Sequence, residues 1–314
     1  MNLLLVAQQM LILFGMMATG YLLWRIGWID QNTSSRLSGL VVNIFNPFLT
    51  ISSVFGKSLV STGVVFWENL FLVILFYVIL AAGGFLVLLL IRPDSTAAPI
   101  YRMLTLLPNC GFMGIPVVSS LLGREYIIYV AIYMLVYNII IYTYGIHLVR
   151  KSNPSSQASK KESLWKKIQL IGLNPGVISA LLALVLFFTG VPVPEGIQLF
   201  CNYMGNPCIP LSMILTGCSV AAANIPELLK DYRRYGFLFI KMLFIPIVCS
   251  FLIRFFPFDG TILKLFIIML SMPAGSLVVL ITQEYGGKTD CAAAGVVLST
   301  VVSLVTIPVV TLFL

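Results

Sequence analysis

Apolar residues fill this chain in long blocks, and the polar residues collect in short stretches between them. A helix needs about 20 residues to cross the hydrocarbon core of a bilayer. With that ruler ten runs emerge, at residues 3–24, 35–56, 66–91, 100–121, 126–149, 168–190, 196–222, 235–256, 261–283 and 289–313. The pattern predicts an all-α integral membrane protein with ten transmembrane helices.

Composition agrees, since 59% of the 314 residues are hydrophobic and 10% charged, with a mean hydropathy of +1.02. Those values exclude a soluble globular domain. A net charge of +8 would suggest nucleic acid in a soluble protein, but here the basic residues fall in short loops between apolar runs. They set membrane orientation, and the partner expected for the surface is lipid rather than nucleic acid. The first cation, Arg25, follows run 1 instead of preceding it, the reverse of a signal peptide, and predicts an outside N-terminus. Alternating sides from there places 14 of the Lys and Arg residues inside (25, 36, 92, 102, 150, 151, 160, 161, 166, 167, 230, 233, 234, 288) and four outside (57, 124, 254, 264). Lys241 falls early in run 8. This bias predicts a plasma (inner) membrane protein with both termini outside and residues 150–167 in the cytoplasm. The six cysteines show no C-x-x-C spacing and lie mostly in apolar stretches, as small buried hydrophobes do. No disulfide frame, metal site or cofactor is expected.

The Ser- and Lys-rich stretch KSNPSSQASKKES, Lys151 to Ser163, reads as a flexible linker dividing the runs five and five. The halves resemble each other. NPFLTISSV (Asn46–Val54) in run 2 reappears as NPCIPLSMI (Asn206–Ile214) in run 7, 160 residues on. Gly27 and Gly190 close runs 1 and 6 at an offset of 163, and Pro108 and Pro273 interrupt runs 4 and 9 at an offset of 165. Residues 1–149 and 168–314 therefore read as a duplicated five-helix unit. Because five is odd, the second copy enters from the opposite face, giving inverted repeats of the kind found in secondary transporters.

Run 4 carries LPNCGFMGIPV (Leu107–Val117), with two prolines and two glycines where an unbroken helix is wanted. Proline removes a backbone donor and clashes with the preceding turn, so the helix is predicted to unwind there. Run 9 carries MPAGS (Met272–Ser276) at the matching place. Freed backbone groups are costly in lipid unless buried in protein or lining a wet cavity, and paired breaks in two halves point to a transport site near the midplane. The candidate substrate-binding residues are Pro108, Asn109, Gly111, Met113 and Gly114 in run 4, and Pro273, Ala274, Gly275 and Ser276 in run 9. Asn46, Asn138, Asn206 and Glu68 are candidates for a supporting role. A lone proline such as Pro47 or Pro246 reads as a plain kink.

At these residues the sequence resembles the auxin efflux carrier family, which includes the plant PIN-formed auxin transporters and bacterial permeases described as malate or malonate carriers. The run 4 pattern L-P-N-x-x-x-M-G-I-P is met by Leu107, Pro108, Asn109, Met113, Gly114, Ile115 and Pro116. The likeness continues at Asn174-Pro175, Tyr137-Asn138, Tyr142 and Gly145, Pro273 and Gly275, Glu284-Tyr285, Leu298-Ser299-Thr300 and Ile307-Pro308. The resemblance implies a fold similar to bile-acid sodium symporters, with broken helices 4 and 9 crossing in an X beside a scaffold bundle, and a homodimer formed through that scaffold. It implies that Asn109 contacts the substrate carboxylate and that an acidic residue near Glu68 supports the site. The linker is far shorter than in many plant members, and run 5 ends in His147-Leu148-Val149-Arg150 where many of those have E-Y-R.

Inward-pointing helix N-termini attract carboxylates, and freed carbonyls suit a cation such as Na⁺. No Lys or Arg is expected near the middle of any run. The leading expectation is a carrier for a small organic acid, a dicarboxylate or an auxin-like monocarboxylate, exported down the membrane potential by alternating access. The alternative is a sodium- or proton-coupled symporter. A non-transporting membrane receptor and a channel are weaker readings. An enzyme is weaker still, since the single histidine, His147, lies near a run's end and no acid–base pair or nucleophile accompanies it.

Overall fold

The computed structural model describes residues 3–55, 59–152, 173, 175–222 and 230–313. Most of the expected linker, with Lys57 and Asn174, lies outside them. Every regular element among the described residues is helical, and helix occupies each of the ten apolar runs. Five helices are long and apolar enough to cross a membrane: Val65–Ile91, Arg124–Ser152, Glu195–Ala222, Tyr232–Phe255 and Thr289–Thr311. Shorter apolar helices include Leu11–Arg25, Cys110–Leu121, Pro175–Thr189 and Gly260–Leu270. Runs 4 and 9 fall in the short class because each is interrupted: Ala98–Leu106 gives way to Ile115–Leu121, and Gly260–Leu270 to Leu277–Glu284.

Two prolines expected to kink their helices, Pro47 and Pro246, do something more specific, and so does Pro116 at the end of the expected break. In runs 2, 4 and 8 the residue before the proline closes a wide π turn, with Asn46 N–H donating to Val41 O, Ile115 N–H to Cys110 O and Ile245 N–H to Ile240 O. Pro47, Pro116 and Pro246 follow. An α-helical proline would press its ring on the carbonyl four residues back. The extra residue in a π turn moves that carbonyl aside, so each helix continues past its proline.

The helices gather in two groups. Runs 1, 2, 6 and 7 pack on one another, with main chains in direct approach. A Cβ on Gly20 would strike the Ile214 carbonyl and one on Gly217 the Met17 carbonyl, and Cys218 Sγ donates to Gly20 O at 3.2 Å. Small residues at such faces let backbones approach where no hydrophobic drive separates helix from lipid. The second group holds runs 3, 4, 5, 8, 9 and 10. There Tyr77 donates to Tyr133 O at 2.7 Å, and Phe76 stands edge-on to the Tyr133 ring at 5.0 Å. The outer face of run 3 exposes Trp67, Phe71, Ile74, Val78, Phe85 and Leu89. Their spacing of three, four or seven residues makes one continuous apolar stripe, a surface that suits lipid.

The connections sort to two ends. Lys288 Nζ reaches Asp94 at 3.0 Å, joining the loop after run 3 to the loop before run 10. An open pocket of about 370 Å³, lined by Leu90, Ile91, Arg92, Tyr232, Arg233 and Gly236, lies where the same end of run 3 meets run 8. At the opposite end Glu68 accepts from Asp259 N, and Arg254 donates to Phe313 O.

Candidate functional site

Run 4 breaks because Pro108 has no N–H to give the Leu104 carbonyl, and the residue before it, Leu107, is forced out of the helix to φ −118, ψ 80. Asn109 then adopts φ −77, ψ 66, and Cys110 N donates to Pro108 O at 2.8 Å. This is an inverse γ-turn, tight enough to restart the helix at once. Run 9 stops at Leu270 and restarts at Leu277, leaving Ser271 to Ser276 without continuous helix.

The two breaks satisfy each other. Asn109 N donates to Pro273 O at 2.7 Å and Gly275 N donates to Leu107 O at 2.8 Å, an antiparallel bridge centred on Pro108 and Ala274. Ala274 N donates to Ser299 Oγ of run 10 at 3.0 Å, and that hydroxyl donates onward to Val296 O. Gly275 has no room for a side chain: a Cβ there would lie 2.6 Å from Tyr137 Oη, 3.1 Å from Leu107 O and 3.2 Å from Pro108 O.

Asn109 is buried, and its amide orientation is fixed. Phe112 N, a donor, lies 3.1 Å from one end of the amide, so that end must be Oδ1. Nδ2 is left buried without a partner. A buried, unpaired amide costs about 1–3 kcal/mol.

Pro108, Asn109, Pro273, Ala274 and Gly275 thus come together. Gly111 and Gly114 lie in the π turn just beyond, Gly111 against Met134 of run 5 and Gly114 against Met269 of run 9, while Met113 is fully buried between them in sequence. Ser276 is half-buried and accepts from Val279 N as the second half of run 9 begins. The supporting residues fall elsewhere. Asn46 is buried where run 2 packs on runs 6 and 7, whereas Asn206, which matches it in sequence 160 residues on, is exposed at the turn in run 7. Asn138 donates to Met134 O of its own helix at 2.9 Å. Glu68 holds the N-terminus of Gly260–Leu270, 11 residues and so roughly 16 Å from the break.

One expectation is overturned. Lys241 is neither near a run's end nor solvated: it sits in the π turn of run 8, fully buried, and Nζ donates to Leu270 O at 3.3 Å and Met272 O at 3.2 Å. A cation therefore stands inside the second helix group, on the carbonyls that the break in run 9 frees. Residue counting missed it because a single lysine near a loop looks like one more orienting charge. Tyr137 and Ser299 also reach the crossing, and the signal for them is that both lie in motifs shared with the family.

An all-helical membrane protein whose two interrupted helices meet at their breaks belongs with membrane transporters. The chain is a member of the membrane transport protein family, the auxin efflux carrier family, which matches residues 5–311. It is also 22% identical, over 293 residues, to an uncharacterized transporter of Methanothermobacter thermautotrophicus, an alignment that covers 92% of each chain.

Proposed function

We propose that this transporter is a secondary carrier for an organic acid anion, loaded at the crossing of runs 4 and 9 and moved by alternating access. The observation that carries the reading is Asn109 Nδ2, a buried donor with no acceptor, placed at the paired breaks. A carboxylate oxygen is the acceptor it lacks. The half-helix that begins at Cys110 adds the positive end of its dipole, worth about 0.3–1 kcal/mol toward an anion. Binding of this strength is weak, which suits release.

The packing supports two inverted five-helix repeats. Exchanging runs 1 to 5 for runs 6 to 10 converts the contact of 1 with 7 into that of 6 with 2, 3 with 4 into 8 with 9, and 4 with 10 into 9 with 5. All of these contacts occur. The two helix groups are then a scaffold (1, 2, 6, 7) and a mobile body carrying the site, and the scaffold's exposed face is the one offered to a second copy in a homodimer. The loops bearing Arg92, Lys230, Arg233 and Lys288 are assigned to the cytoplasm.

Export of a monoanion from a cell that is negative inside gains about 2.3 kcal/mol per 100 mV, enough for roughly a fifty-fold gradient without a coupling ion. The test is flux of labelled malate and indole-3-acetate in liposomes holding the purified protein, with potential and sodium gradient set independently. Flux follows the potential, and Asn109→Ala lowers it about tenfold or more while the protein stays folded. Unchanged flux and affinity in that variant would remove Asn109 from the site.

A further inference from the structure

Lys241 has no part in the anion path described above, yet it is fully buried in the second helix group. Among the described residues no carboxylate lies within ion-pairing distance of its ammonium, and its hydrogen bonds go to two main-chain carbonyls, Leu270 O and Met272 O. A lone buried cation is expensive, and a leucine or methionine would fill the same volume without that cost but would leave the two buried carbonyls without a donor. The carbonyls explain why an ammonium is kept. Leu270 O closes Gly260–Leu270 and Met272 O follows two residues on in the break, where a helix leaves its last carbonyls unpaired and presents the negative end of its dipole. Carbonyls at the C-terminal end of a half-helix are the chemistry that holds a monovalent cation in broken-helix transporters. Met272 also directly precedes Pro273, whose carbonyl accepts from Asn109 N, so one peptide unit separates the ammonium's ligand from the crossing. The π turn Ile240–Phe244 holds Lys241 at this level of run 8.

We propose that the Lys241 ammonium is a tethered cation occupying the cation position at the break of run 9, so that the crossing carries its own positive charge and takes no sodium. What this means for transport rests on the carrier reading. A bound monoanion and the fixed cation then sum to zero, so the loaded site crosses the membrane uncharged. The empty site returns bearing one positive charge, and the membrane potential acts on that return step.

The test compares melting of the purified full chain in sodium chloride and in choline chloride at equal ionic strength. Wild type melts at the same temperature in both. Lys241→Met keeps the packed stem but lacks the terminal group. It melts at least about 3 °C lower in choline, and sodium restores most of the loss. A sodium-specific rise in the wild type overturns the proposal, and needs no variant should Lys241→Met fail to fold. So does a variant that melts like wild type in choline or ignores sodium. Malate flux measured in the same two salts separates the two readings: equal flux in wild type is expected. If wild type carries no malate while the melting pattern holds, the tethered cation stands and the choice of substrate falls. If flux is present but sodium stabilises wild type, the carrier stands and the tethered cation falls.

Discussion

Asn109 owes its orientation to a main-chain donor rather than to a ligand, which makes the residue a preset donor. Replacing it with aspartate keeps the acceptor for Phe112 N and exchanges the free N–H for a negative oxygen. Asn109→Asp should therefore fold while losing more anion flux than Asn109→Ala, since it adds repulsion to the lost bond. Flux of both variants beside their melting curves checks this ordering. Gly275→Ala is expected to fail differently. Its methyl would meet two rigid carbonyls and a tyrosine oxygen, an overpacking that costs about 1–3 kcal/mol, whereas a Cβ on Gly111 would meet only the end of Met134 at 3.4 Å. Thermal melting of the two alanine variants should show a loss for Gly275 and little change for Gly111. Asn109 was legible because proline, glycine and amide crowd together where apolar residues were due. Lys241 was not, because its partners stand 29 and 31 residues away and no local pattern links them. The sequence points to Asn138 rather than Tyr137, but neighbouring helix positions point about 100° apart, and only packing reveals that the tyrosine meets Gly275.

At the scale of elements, the breaks were readable and the π turns were not. A proline announces that a helical hydrogen bond is missing, but the sequence does not say whether the helix kinks, stops or widens to absorb it. Runs 4 and 9 stop because a partner break waits to accept the freed groups. Runs 2 and 8 widen. Asn46 and Asn206 occupy matching positions in sequence and different surroundings in space, which no local pattern could distinguish. Loops between elements contribute modestly. The Lys288 ammonium beside Asp94 holds its carboxyl down at about 2, with Ala97 N and Thr96 adding hydrogen bonds. A depressed carboxyl stabilises the fold above its ordinary range and loses that effect as pH falls toward 2. Both side chains are about half exposed, so the effect is small. Melting curves of wild type and Lys288→Ala should differ slightly near neutral pH and converge between about pH 4 and pH 2.

For the whole molecule, the two ends defined by loop contacts give the proposed orientation a direct check. Ser95 is exposed in the loop after run 3, and Gly196 is exposed with open space around it at the start of run 7. In intact cells a membrane-impermeant thiol reagent should label Gly196→Cys at once and Ser95→Cys only after permeabilisation. The opposite result would invert the orientation and turn the proposed exporter's site around. Five of the six native cysteines are buried, so their background is low.

The joint between the broken helices is tied by Asn109 N, Gly275 N and two carbonyls, all main-chain groups. A tie written in backbone is indifferent to most side-chain change, provided that proline keeps each helix open and glycine keeps the approach clear. If the joint is the proposed carrier site, relatives can drift far in the residues around it, and with them in the cargo they accept, while inheriting the same joint. Cargo and mechanism are free to evolve on separate clocks.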